Sequence, residues 1–82
     1  MKNTVRRLCD LPEEQTGVVC EIKTKGAIRA RLLDLGLIPG TKVQCLLHAP
    51  SGSPIAYSVR GACIALRRID AAQIRVEVPT WD

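Results

Sequence analysis

The chain has 82 residues, 46% of them apolar and 24% charged, and a formal net charge of +4. At that length it is a single domain over residues 1–82, able to bury only about 60–65% of its unfolded surface, and a two-domain organisation is excluded. The longest unbroken apolar stretches, such as Ala62-Cys63-Ile64-Ala65-Leu66, fall far short of the ~20 residues that span a bilayer. The opening Met1-Lys2-Asn3-Thr4-Val5-Arg6-Arg7 is charged with no apolar run after it, which argues against a secretory signal and for a cytosolic protein.

Leu8-Cys9-Asp10-Leu11-Pro12 reads as a short lead-in, and Glu13-Glu14-Gln15-Thr16-Gly17 as a polar turn before a first strand over 17–24. There Val18, Cys20 and Ile22 alternate with Val19, Glu21 and Lys23, the period of a half-buried strand. Lys25-Gly26 breaks it, and from 27 to 35 the period lengthens: Ile28, Leu32 and Leu35 make one narrow helical stripe, with Arg29, Arg31 and Asp34 off it. Leu33 lies on the far side of that stripe and needs a second surface, supplied either by a neighbouring loop or the N-terminal segment, or by another protein. Beyond a Pro39-Gly40 turn, Val43, Cys45, Leu47 and Ala49 alternate with Gln44, Leu46 and His48 in a second strand. Residues 49–54, with two prolines and a glycine, form a loop. Strands follow over 55–60 and 62–68, pivoting on Gly61, and a fifth over 74–78. Between the last two, Asp70-Ala71-Ala72-Gln73 reads as one helical turn with Asp70 free to cap it. Residues 79–82 read as a tail, from which Trp81 is able to fold back onto the body. The expectation is a mainly β fold: a small, partly closed antiparallel barrel of about five strands with one inserted helix.

Four cysteines, Cys9, Cys20, Cys45 and Cys63, stand 11, 25 and 18 residues apart with no Cys-x-x-Cys pair. They read as buried or half-buried structural thiols, with Cys63 facing away from Ile64 and Leu66. His48 is the lone histidine and reads as a surface or hydrogen-bonding side chain. No nucleophile stands beside a base, and Gly36-Leu37-Ile38-Pro39-Gly40 lacks the lysine and hydroxyl of a phosphate loop. No catalytic residue, cofactor site or metal site is expected. Lys23, Lys25, Arg29 and Arg31 bunch around the helix start, but with only Tyr57 and Trp81 as aromatics there is no row of stacking rings, and nucleic-acid binding is not expected.

The segment Arg31-Leu32-Leu33-Asp34-Leu35-Gly36-Leu37-Ile38-Pro39-Gly40 carries a helix into a glycine stop and a sharp turn. Taken in order with Leu8-Cys9-Asp10-Leu11, Ala49-Pro50, Pro54-Ile55, Arg60-Gly61, Ile64-Ala65-Leu66-Arg67-Arg68 and Asp70-Ala71, it makes the chain resemble the FeoA family of ferrous iron transport proteins over nearly its whole length. The resemblance implies an SH3-like barrel and a non-enzymatic accessory role in bacterial ferrous iron uptake. The implied partner is the cytosolic part of the FeoB membrane GTPase transporter, at the inner face of the cell membrane. A free-standing regulatory module is the other reading, since the C-terminal SH3-like domain of diphtheria-toxin-repressor-type metal regulators is similar in fold and in its Gly-x-x-Pro-Gly turn. The contact surface expected is an apolar knob of Leu33, Leu37, Ile38 and Pro39 flanked by Arg29 and Arg31.

Overall fold

The computed structural model describes residues 2–80 and contains one antiparallel sheet of six strands. In chain order these are β1 (Lys2–Arg7), a 3₁₀ turn (Leu8–Asp10), β2 (Thr16–Ile22), α1 (Gly26–Asp34), β3 (Lys42–His48), β4 (Ile55–Val59), β5 (Ala62–Leu66), α2 (Arg68–Ala71) and β6 (Ile74–Thr80). The strands lie side by side as β1-β6-β2-β3-β4-β5 and curl around one apolar core. The mainly β, barrel-like expectation holds, as does the inserted helix. The sixth strand is β1: six consecutive residues pair with β6 from Lys2↔Thr80 to Arg7↔Arg75. It is an edge strand dominated by polar and charged residues and so shows no buried-face alternation. β6 runs through residues 79 and 80 where a tail is expected; the expectation for Trp81 lies outside the described residues.

Two β-bulges account for the strand faces that simple alternation misplaces. In β2 the register against β6 shifts between Val19 and Glu21, so Cys20 is the extra residue. Gly17 and Val19 point inward before it and Ile22 after it, whereas unbroken alternation groups Val18 with Ile22. In β3 the register against β4 shifts between Cys45 and Leu47. The bulge at Leu46 turns Leu47 outward, 58% exposed, although Val43 and Cys45 on its expected face are fully buried. The helical stripe is also revised. Leu32 is core, but Ile28 is exposed, while Leu33 and Leu35 are half-buried against the core.

Gly17 sits where β2 crosses β6 closely: a Cβ there would lie 3.2 Å from Val76 Cβ and Cγ2, so the bare backbone lets the sheet close. The excursion that carries α1 leaves and rejoins the barrel at one place, because Val19 N–H donates to Thr41 O (2.9 Å) and Gly40 N–H donates to Val19 O (2.7 Å).

Tyr57 anchors the core. It is fully buried, and its hydroxyl donates to Leu8 O at 3.1 Å, tying β4 to the 3₁₀ turn. Burial, aided by neighbouring Cys45 and Cys9, pushes its phenol well above the ordinary tyrosine range, and burial likewise raises both thiols. Folding thus favours the protonated forms. Their contribution is complete below the unfolded pKa values, about 8.5 for thiols and 10 for tyrosine, and is lost as pH rises through the higher folded values. The expected result is a urea midpoint that is flat to about pH 8 and falls above it. Tyr57→Phe should flatten the part of the fall above about pH 10 at a cost of about 1 kcal/mol at neutral pH.

Candidate docking surface

The helix that carries the expected contact ends in a Schellman motif. Gly36 adopts φ +101°, its N–H donates to Leu33 O (2.9 Å), and the N–H of Leu37 donates to Leu32 O (3.1 Å). Such an end brings the second residue past the helix, Leu37, against the residue four positions before the glycine, Leu32, in apolar contact. Both are buried, and Leu37 is fully so. Leu37 is therefore a core residue and is removed from the expected surface.

The remaining positions separate. Ile38 is 40% exposed and Pro39 is exposed at the tip of the turn, which Thr41 N–H closes by donating to Ile38 O at 2.9 Å. Leu33 is half-buried against the core, so the barrel itself supplies much of the second surface it needs. Arg29 is half-buried, and its guanidinium donates to Ile22 O at 2.6 Å. This ties the first turn of α1 to the end of β2, and the side chain is committed to the fold. Arg31 is exposed, and among the described residues no ion pair or hydrogen bond holds its side chain.

A groove of about 240 Å³ opens between α1 and the β5–α2 corner. Its helix wall is Ile28, Arg31, Leu32 and Leu35, and its opposite wall is Ala65, Leu66, Arg67 and Asp70. Arg67 donates to Asp70 at 3.0 Å across the base of α2, so Asp70 serves as an ion-pair partner and makes no side-chain cap. This groove was not among the expected contacts. Its helix wall is the very stripe, Ile28, Leu32 and Leu35, that periodicity marks as apolar. What periodicity leaves open is whether a sheet or only a shallow trough faces it.

Among the described residues no cluster of three or more His, Cys, Asp or Glu side chains is placed to hold a metal ion. Cys9 and Cys45 are buried, Cys20 is half-buried at its bulge, and Cys63 is exposed, which corrects the expectation of burial for that thiol. His48 is half-buried, with Nε2 3.0 Å from Leu11 O and its backbone N–H donating to Glu13 Oε2 at 2.8 Å. It joins β3 to the lead-in segment.

A family model described as the FeoA domain matches residues 6–78. The Fe(2+) transport protein A/Fe(2+) transporter FeoB fusion protein of Porphyromonas gingivalis is 32% identical over 72 residues, which is 88% of this chain and 8% of that relative. The solution structure of the FeoA protein from Chlorobium tepidum superposes with a TM-score of 0.86 at 34% identity, covering 94% of this chain and 73% of that one. The zinc complex of Stenotrophomonas maltophilia FeoA, described as a prokaryotic SH3 domain protein, superposes at 0.76 and 30% identity, covering 84% and 86%. A manganese-dependent transcriptional repressor matches at 0.84 but only 18% identity, covering 96% and 44%, a likeness of fold alone.

Proposed function

Since the chain belongs to the FeoA domain family, we propose that it is a non-enzymatic accessory protein of bacterial ferrous iron uptake that binds the cytosolic part of a FeoB-type GTPase transporter. The observation that carries this is the fusion relative: a domain 32% identical to this chain shares one polypeptide with an Fe(2+) transporter. Covalent linkage holds two partners at high effective concentration, and separate chains replace it with a docking surface. No helix among the described residues is long and apolar enough to cross a membrane; in this reading, association with the inner membrane face comes through that partner. The exposed turn residues Ile38 and Pro39, with half-buried Leu33 and exposed Arg31 on the helix, supply the apolar and basic character such a surface needs. Leu37 and Arg29 act behind it, one as core and one as a tether.

The test is a binding titration of the purified chain against the cytosolic part of a FeoB-type transporter. Ile38→Glu is expected to weaken binding by roughly tenfold or more, the scale of losing an interface anchor, while the thermal midpoint falls by no more than a few degrees. Binding at wild-type affinity by a folded Ile38→Glu variant would remove the turn from the interface. The repressor likeness supports no second reading, because it extends to the fold alone.

A further inference from the structure

β5 ends the sheet, and within the strand it lacks the charges, prolines and bulges that commonly protect an edge. Its residues, Ala-Cys-Ile-Ala-Leu, include no charge and no proline, and its five-residue register with β4 runs without a bulge. The opposite edge, β1, carries Lys2, Arg6 and Arg7. The turn between β4 and β5 has two residues, Arg60 (φ +53°) and Gly61 (φ +81°), closed by the pair Val59↔Ala62. Positive φ at both positions is the type I′ hairpin, whose closing pair exchanges both hydrogen bonds. Alternation then turns the N–H and C=O of Cys63 and Ala65 away from β4. Among the described residues no backbone or side-chain hydrogen bond outside the strand ladder reaches them. Both side chains are small and exposed, so a second backbone has room to approach.

We infer that β5 takes an extended partner segment as a seventh strand, and that this segment has an uncharged core with carboxylates at its ends. The charges around the edge select the occupant. Arg60 precedes β5, Arg68 follows it together with Arg67, which is already paired with Asp70, and Arg31 stands on the groove wall across from Ala65, so the cations outnumber the one carboxylate there. A second copy pairing antiparallel along β5 would bring Arg60 of one chain toward Arg67 and Arg68 of the other, like charges facing across strands. A strand with acidic ends meets opposite charge at the same places. The groove is smaller than the ~300–1,000 Å³ of pockets that enclose whole ligands. It suits instead one aliphatic side chain of the added strand, received by Ile28 and Leu35. The partner's identity rests on the reading proposed above; the chemistry of the edge does not.

The experiment is an NMR titration of the whole chain with a synthetic peptide whose core alternates valine and threonine over the length of β5, with paired glutamates at each end. The same core with paired lysines is the control. The expected result is saturable shifts and slowed exchange at the amides of Cys63 and Ala65, with the glutamate peptide binding roughly tenfold tighter than the lysine peptide. Ala65→Pro removes one outward donor and no bond to β4, so it should weaken binding several-fold while Tm moves by less than about 5 °C. Arg60→Asn keeps the positive-φ turn and should narrow the glutamate preference, which decides the matter even if Ala65→Pro fails to fold. Equal binding of the two peptides, shifts confined to other strands, or no saturable binding overturns the inference. Failure of the transporter's cytosolic part to bind the wild-type chain would remove only the proposed partner, since the peptide result stands independently.

Discussion

Leu37→Ala is expected to cost about 2–5 kcal/mol, the range for truncating a buried leucine, and to lower Tm by roughly 10–30 °C in a domain of this size. The residue is fully buried and packs where the helix end meets the core. A domain of this length holds only about 4–12 kcal/mol of stability, so the variant sits near the edge of folding. The neighbouring Ile38→Ala should cost less than about 1.5 kcal/mol, because its side chain is 40% exposed at the turn. Thermal and urea unfolding of the two variants measured side by side give the check. Equal losses would mean that Leu37 is not the core contact of the helix end, and the Schellman geometry would lose its energetic role.

Gly36→Val is the second large effect, expected to exceed about 3 kcal/mol. Two penalties act together. At φ +101° any L side chain is strained by about 1–3 kcal/mol, and a β-branched one most. A Cβ there would also stand 3.3 Å from Val59 Cγ1, tighter than a relaxed contact, and Val59 is a buried core residue with little room to yield. Gly40→Val shares the strained φ of +97° but meets nothing within 4 Å. It should therefore cost only the backbone share, and the difference between the two variants isolates the packing share. A Gly36→Val protein as stable as Gly40→Val would show that β4 moves freely under the helix end.

Much of this architecture is legible in the residues. The period change at Gly26, the glycine stop at Gly36 and the Arg60-Gly61 turn each have a local cause and lie where pattern reading places them. The bulges at Cys20 and Leu46 do not announce themselves, because alternation looks unbroken through both and only pairing with β6 and β4 shows where a residue is extra. A single bulge reverses every face beyond it, which is why alternation groups Leu47 with Val43 and Cys45 while the fold turns it outward. Leu37 is different: its burial was recoverable. A glycine ending a helix forecasts that the next residue will fold back against the last turn, and that geometry outweighs the protruding look of a Pro-Gly turn. For the docking surface, the sequence supplies candidates such as Ile38 and Arg31, while the free edge of β5 comes into view only once the order of strands is known.

The paired hydrogen bonds between Val19 and residues 40–41 act as a clasp at the neck of the helical excursion. The exposed positions it encloses, such as Ile38 and Pro39, can be reshaped or extended without disturbing a rung of β2 against β3 so long as Ile22, Leu32 and Leu37 keep their places in the core, since closing a longer loop costs only about 0.6 kcal/mol per doubling. The outer face of the turn is thus open to tailoring toward a changing counterpart, while the inner face of the helix is held by the barrel it packs on.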